Sequence, residues 1–243
     1  MTKTLTYSLS SFAISDTGYV RKNNEDAWRA LTEQRFFVLA DGMGGHNAGE
    51  VAAELTVESL CESIQRLSSQ ASIEEACSFL RNAVSKANKK VFETAFSDPA
   101  FAGMGTTLSC FLIWEHHLIY AHVGDSRLYR YRPCLGLDQL TQDHSLIQNF
   151  YSKPKKSLPR HVITRAIGAS PMVYPDIGVI SLSPNDLYML CSDGLSDYVA
   201  KKTLSQLLSD ENSLEEMGRE LIKAALEKGG NDNITLLLTK LLP

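Results

Sequence analysis

The chain has 243 residues, 44% of them hydrophobic and 21% charged, with a formal net charge of −4. That balance suits a globular chain with core enough for one large domain or two small ones. The small negative charge gives no electrostatic reason to expect nucleic acid or an anionic membrane as partner.

Residues 5–14 alternate loosely between apolar and polar, as a half-buried strand does, and the apolar run 35–40 ending at Asp41 suits an interior strand. Apolar residues then recur at helical spacing over 49–67 and 72–96, with Ser72 and Glu75 spaced as a capping box for the second helix. The chain next turns to strands at 106–114, 118–123 and 127–131. The short connections Glu115-His116 and Gly124-Asp125-Ser126 predict antiparallel hairpins. A further hairpin is expected from 177–182 and 187–192 across Ser183-Pro184-Asn185-Asp186, then two short helices within 201–228 and a last strand over 233–241. The proline-containing stretch 142–176, with Lys153, Lys155 and Lys156, reads as a surface excursion inside a single domain spanning 1–243. Paired helices between antiparallel strands exclude a regular βαβ alternation. The expected class is α+β, a four-layer α-β-β-α sandwich of two antiparallel sheets packed face to face with helices outside.

Five cysteines (Cys61, Cys77, Cys110, Cys134, Cys191) are widely spaced with no CxxC pair, so reduced thiols are expected and not a disulfide frame or zinc site. No secretory signal is visible, and apolar runs such as 36–40 and 110–114 are far too short to span a bilayer, so a cytoplasmic protein without membrane contact is expected.

Four short acidic segments stand out: Asn24-Glu25-Asp26, the Asp41-Gly42-Met43-Gly44-Gly45-His46 turn, Ser192-Asp193-Gly194-Leu195-Ser196-Asp197, and Gly230-Asn231-Asp232-Asn233. Any one alone reads as an ordinary loop, and Asp-Gly is a common turn. Gly42-Met43-Gly44 begins like a nucleotide-binding glycine loop, but Asn47 breaks the pattern and no strand follows the first helix. Taken together, carboxylates at strand ends make a cage for hard divalent cations, approached by a main-chain carbonyl such as that of Gly42. Adjacent strand residues face opposite ways, so Asp26 is expected in the cage and Glu25 behind it, acting through water. Asp26, Asp41, Asp193 and Asp232 would sum to −4 on convergence, a charge that two divalent ions neutralise. With no His or Cys cluster, the donors suit magnesium or manganese. Two such ions can share a bridging water and activate it, while Arg21, four positions before Glu25, could hold phosphate oxygens.

At this point the chain resembles the metal-dependent serine/threonine protein phosphatases of type 2C in their compact bacterial form. The stretches that carry the resemblance are 15–26, 39–46, 103–108, 123–127, 140–145, 162–168, 190–197 and 230–235, in family order along nearly the whole chain. The resemblance implies a sandwich with its site at one end. It implies that Asp41 bridges two metals with the Gly42 carbonyl on one, that Asp193 and Asp232 ligate the other, and that Glu25 and Asp26 contribute largely through water. Arg21 would hold the substrate phosphate, Asn233 would orient Asp232, and Asp125 with Asp193 would hold a third, weaker ion.

Two departures stand beside it. Met43 occupies the position where animal members carry a histidine acid, leaving His46 or water for that role. The flap between Asp143-His144-Ser145 and Val162 is short and basic. The expected activity is hydrolysis of phosphoserine and phosphothreonine in proteins by a monomeric enzyme opposing a serine/threonine kinase. The rivals are a non-catalytic phosphoprotein adaptor on the same fold and a phosphatase dedicated to one regulatory partner.

Overall fold

The computed structural model describes residues 7–44, 48–146 and 162–242. One sheet is built from β1 (Ser8–Asp16), β7 (Arg127–Arg132), β8 (Gly136–Gln139), β10 (Leu187–Cys191) and β11 (Ile234–Leu242), in the order β1-β11-β10-β7-β8. The other contains β2 (Asp26–Leu31), β3 (Phe36–Met43), β5 (Leu108–Trp114), β6 (His117–Val123) and β9 (Asp176–Ser181), in the order β2-β3-β5-β6-β9, with the short β4 (Gly105–Thr106) on β3. Every pairing is antiparallel.

Phe37, Leu39, Phe111, Leu128, Tyr188, Leu190 and Leu237 fill the space between the sheets, with the Phe37 and Phe111 rings stacked at 4.8 Å. On the outer face of the second sheet lie α1 (Ala48–Ile64) and α2 (Ile73–Ser97), whose Val57, Leu60, Leu80, Val84 and Val91 pack on Val38, Cys110 and Ala121. The predicted capping box is present: Ser72 accepts from the Glu75 N–H, and the Glu75 carboxylate accepts from the Ser72 N–H. The first sheet is covered by α4 (Lys201–Ser209) and α5 (Leu214–Leu226) through Leu204, Leu208, Met217 and Leu221. The four-layer α-β-β-α sandwich is as expected, and among the described residues no helix is long and apolar enough to cross a membrane.

Two predicted hairpins are not hairpins. β6 and β7 lie in different sheets, as do β9 and β10, so both connections carry the chain across the sandwich. At the first crossing, Gly124 takes φ +106°, its N–H donates to His144 Nδ1 at 3.0 Å and its carbonyl accepts from the His144 N–H at 2.7 Å. Both main-chain groups are thereby taken from any hairpin ladder. At the second, fully buried Asp186 accepts from Arg132 Nε at 2.6 Å and Nη2 at 2.7 Å, from the Ser183 N–H at 3.0 Å and from the Tyr188 hydroxyl at 2.9 Å.

The sequence reading also missed β2, β8 and the short helix α3 (Asp193–Ser196), and it joined β4 to β5. Nor is 142–176 merely a surface excursion: Asp143, His144, Ser145, Ala166, Ile167 and Val173 are buried. Lys153, Lys155 and Lys156 lie outside the described residues. The described cysteines are all unbridged, with Cys134 exposed.

Removing one partner of a buried ion pair leaves the other uncompensated. Asp186 is fully buried while Arg132 keeps solvent access, so Asp186→Ala, which also strips the Tyr188 hydroxyl and the Ser183 N–H of their acceptor, is expected to lower unfolding stability by about 1–3 kcal/mol, read as a fall in the urea midpoint. An unchanged midpoint would mean that this crossing is not held by the Arg132 pair.

Candidate metal centre

The register of the strands brings the acids to one end. Asp26 opens β2 and stands directly opposite Asp41 on β3. Asp125 lies two residues before β7, Asp193 two after β10, and Asp232 two before β11. Because neighbouring strands run antiparallel, these starts and finishes fall on a single end face. Three side chains stitch the sheets together there. Ser192 Oγ donates to Asp26 Oδ2 at 2.9 Å, and Asn233 Oδ1 accepts from the Glu25 N–H at 2.9 Å. The Ser15 hydroxyl meets Thr235 Oγ1 at 2.6 Å and accepts from Asn24 Nδ2 at 2.6 Å.

Asp41 is gripped by its backbone. Its N–H donates to Thr107 Oγ1 at 2.9 Å, and its carbonyl accepts from the Thr107 N–H at 2.9 Å and the Thr106 hydroxyl at 2.8 Å. The residue does not sit on a turn: β3 continues to Met43. Gly42 is glycine for a different reason from the one expected, since a Cβ there would fall 2.1 Å from the Gly49 carbonyl oxygen at the start of α1. Asp193 likewise is no turn residue but the first residue of α3, following Ser192 at the N-cap.

The remaining acids are placed by contacts that the sequence motifs do not show. Gly124, clamped by His144, presents Asp125; His144 accepts at Nδ1, so its proton is on Nε2, which donates to Asp176 Oδ2 at 3.2 Å. Burial holds the His144 pKa below its ordinary value, in keeping with that neutral form. Arg127 forks onto Asp143 with its Nε 3.0 Å from both carboxylate oxygens and Nη2 2.6 Å from one. The same guanidinium reaches the Ser196 carbonyl at 3.2 Å and Asp197 at 3.3 Å. The neighbouring strand-end threonines and the Asp143-His144 pair were legible as motif, but their partners were not. Asn233 does not orient Asp232 with its side chain, which ties Glu25, Thr17 and Asn23; its main-chain N–H donates to Asp232 Oδ1 at 2.8 Å. Arg21 is half-exposed and pairs with Asp232 Oδ2 at 2.7 Å. His46 lies outside the described residues.

The electrostatics of this face are frustrated. Burial, and then repulsion from Asp193 and Asp232, pushes the Asp26 carboxyl up to about 7, against hydrogen bonds from Thr235 and Ser192. Burial first and Asp26 next push Asp41 well above the carboxylate range, with Asp193, Asp125 and Asp232 adding to it. Asp125 is raised to about 7 by burial and by Asp193. Glu25 is raised by burial while Arg21 pulls the other way. Asp26 Oδ1 is buried without a hydrogen-bond partner. Among the described residues no three acids, histidines or cysteines are gathered tightly enough to grip an ion as they stand. Asp232 is engaged with Arg21 and Asp26 with Ser192. Even so, an orphaned carboxylate oxygen beside mutually repelling acids and no thiolate is a donor set that fits a hard divalent cation. Cys191 lies behind it, fully buried, its thiol pushed up to about 12 by burial, and is not a nucleophile.

Comparison with known proteins agrees with this architecture. The family described as Protein phosphatase 2C matches residues 19–239. Serine/threonine phosphatase stp of Listeria monocytogenes is 34% identical over 236 residues, covering 93% of both chains. Protein phosphatase PhpP of Streptococcus pneumoniae is 32% identical over 240 residues, covering 94% of this chain and 96% of that protein. The Mycobacterium tuberculosis serine/threonine phosphatase PstP/Ppp superposes with a TM-score of 0.87 at 35% identity, over 97% of this chain and 99% of that one. The catalytic domain of PstP in complex with two manganese ions also superposes at 0.87, with 35% identity over 98% and 100% of the two chains. The chain belongs to the protein phosphatase 2C family, among its bacterial serine/threonine phosphatases.

The raised carboxyls carry a pH signature. Between about pH 4 and 7 the unfolded chain gives up protons that folded Asp26 and Asp41 keep, so without metal stability falls as pH rises. In EDTA, Asp41→Asn is expected to be more stable than wild type at pH 8, with the gap closing towards pH 4. Urea midpoints across that range measure it, and equal midpoints at pH 8 would mean that the repulsion is not there.

Proposed function

We propose that the chain is a single catalytic domain that hydrolyses phosphoserine and phosphothreonine in proteins, using two divalent ions, manganese or magnesium, at the acid end face. The observation that carries this reading is the convergence of Asp26, Asp41, Asp125, Asp193 and Asp232 from both sheets onto one frustrated face. When bound, the ions would supply an activated water for in-line attack on phosphorus. Asp41, Asp193 and Asp232 would hold them, with the Gly42 carbonyl and Asp26 contributing. Asp26 keeps Oδ2 on Ser192 and offers Oδ1. Glu25 stands behind, acting through water, and Asp125 with Asp193 is the weaker third position. The manganese complex of PstP supports the choice of ion.

Arg21 now occupies Asp232 and would have two tasks. With Asp232 holding an ion, the Arg21 guanidinium would be free, and its planar fork suits two phosphate oxygens. It then orients the substrate and balances charge on the oxygens that do not leave. The leaving alkoxide takes its proton from His46 or from water. Phosphorylated proteins made by a serine/threonine kinase are the proposed substrates, and a cytoplasmic monomer is the proposed form.

The test is phosphate release from a phosphothreonine peptide with manganese, with magnesium and with EDTA. Turnover with metal that vanishes with chelator is expected. Silence under all three, with folded protein, would favour a phosphoprotein-binding adaptor. Asp193→Ala and Asp232→Ala are each expected to cost at least about a hundredfold in kcat. Arg21→Ala should cost roughly 30-fold in kcat/KM, the worth of a charge-assisted fork; intact turnover in any of the three would remove that residue from the mechanism.

A further inference from the structure

A groove of about 620 Å³ runs between the end of β1 and the last turns of α5. Its apolar surface comes from Ile14, Ile222, Leu226 and the Tyr19 ring. Charges of both signs edge it, Arg219 and Lys223 against Asp16 and Glu227. Three of them have partners close by: Arg219 meets Glu215 at 2.8 Å, Lys223 meets Glu220 at 3.4 Å, and Asp16 takes the Gly18 N–H at 2.8 Å. With signs balanced, this edge selects neither an acidic nor a basic ligand, and the apolar floor is what can discriminate.

The position of the groove says what would enter it. Tyr19 is 73% exposed and Val20 63%, an unusual outlay of large apolar side chains beside a polar site. The loop that carries them is fixed, because the Tyr19 N–H donates to the Gly230 carbonyl at 2.8 Å, and Arg21 lies two residues on, against Asp232. Residues 19–21 therefore form a wall shared by the groove and the arginine assigned to phosphate. Two residues of extended chain span about 7 Å, so a peptide whose phosphate sits at Arg21 has side chains within reach of the groove.

We propose that this groove receives an apolar side chain of the phosphoprotein substrate, two to four residues from the phosphorylated serine or threonine, and so gives the enzyme a sequence preference. The proposal rests on the phosphatase reading above. Tyr19 would be a specificity residue, acting on the flanking chain and not on the reacting phosphate.

The experiment compares glycine- and serine-based phosphothreonine peptides in which a single leucine is walked through four positions on each side. Para-nitrophenyl phosphate, which has no chain, serves as reference. At one position two to four residues away, leucine is expected to raise kcat/KM about fivefold, mainly through KM. Tyr19→Ala should reduce that gain below twofold, and Tyr19→Phe, which keeps the ring, should retain it. No preference at any position in the wild type would overturn the proposal. So would a leucine preference that survives Tyr19→Ala, or a loss shared equally by leucine-free peptide and para-nitrophenyl phosphate, which marks a structural role. Turnover of every substrate without leucine preference sinks the groove alone. No turnover of any substrate by manganese-loaded wild type sinks the phosphatase reading, and the groove with it.

Discussion

Two aspartates facing each other across neighbouring antiparallel strands are the constraint around which this molecule is arranged. Directly opposed like charges weaken a sheet, and partial burial makes the repulsion stronger. The Asp26–Asp41 pair survives because its surroundings leave it nowhere to go. Thr106 and Thr107 hold the Asp41 main chain on both sides, Ser192 reaches from the other sheet to Asp26, and Asn233 anchors the residue before it. Stability drawn from the inter-sheet core and the two helical layers is spent at the end face on keeping negative charge together.

The crossings explain why that charge comes from both sheets. Had β6 and β7 formed a hairpin, Asp125 would sit on a turn at the edge of one sheet. Because Gly124 is locked by His144, the chain instead steps over to the partner sheet and delivers Asp125 towards Asp193. Arg127, just beyond, then binds the start of the following segment to the end of α3 through Asp143 and Ser196. One local conformation, available to glycine at φ +106° and strained for other residues, sets the position of an acid, an ion pair and a sheet exchange.

Much of this was readable in advance. Apolar runs such as 36–40 and the helical stripe from Ile73 to Val91 announce buried strands and helices through periodicity alone, and the Ser72–Glu75 box fixes a helix start. The acids could be nominated because carboxylates at strand ends are uncommon in such number. What stayed hidden is whatever depends on the third dimension. A three-residue connection between two strands looks the same whether it closes a hairpin or crosses a sandwich, and β2 with its mixed Asp26-Ala27-Trp28-Arg29 has no clean alternation to betray it. Asp-Gly reads as a turn in isolation, yet at Asp41 it continues a strand and at Asp193 it opens a helix. The reason Gly42 is glycine lies in Gly49, a contact that no local pattern encodes.

The rings of Phe37, Phe111 and Tyr188, packed between the sheets, act as the spacer of a caliper. Their thickness fixes the separation of the two sheets, and the jaws are Asp26 and Asp41 on one side with Asp193 and Asp232 on the other. Trimming such a ring leaves a cavity that costs stability and at the same time lets the gap between the sheets narrow or tilt. For this fold the interior is a gauge as much as a source of stability, because the rings that hold the sheets apart also set the gap between the acids at their end.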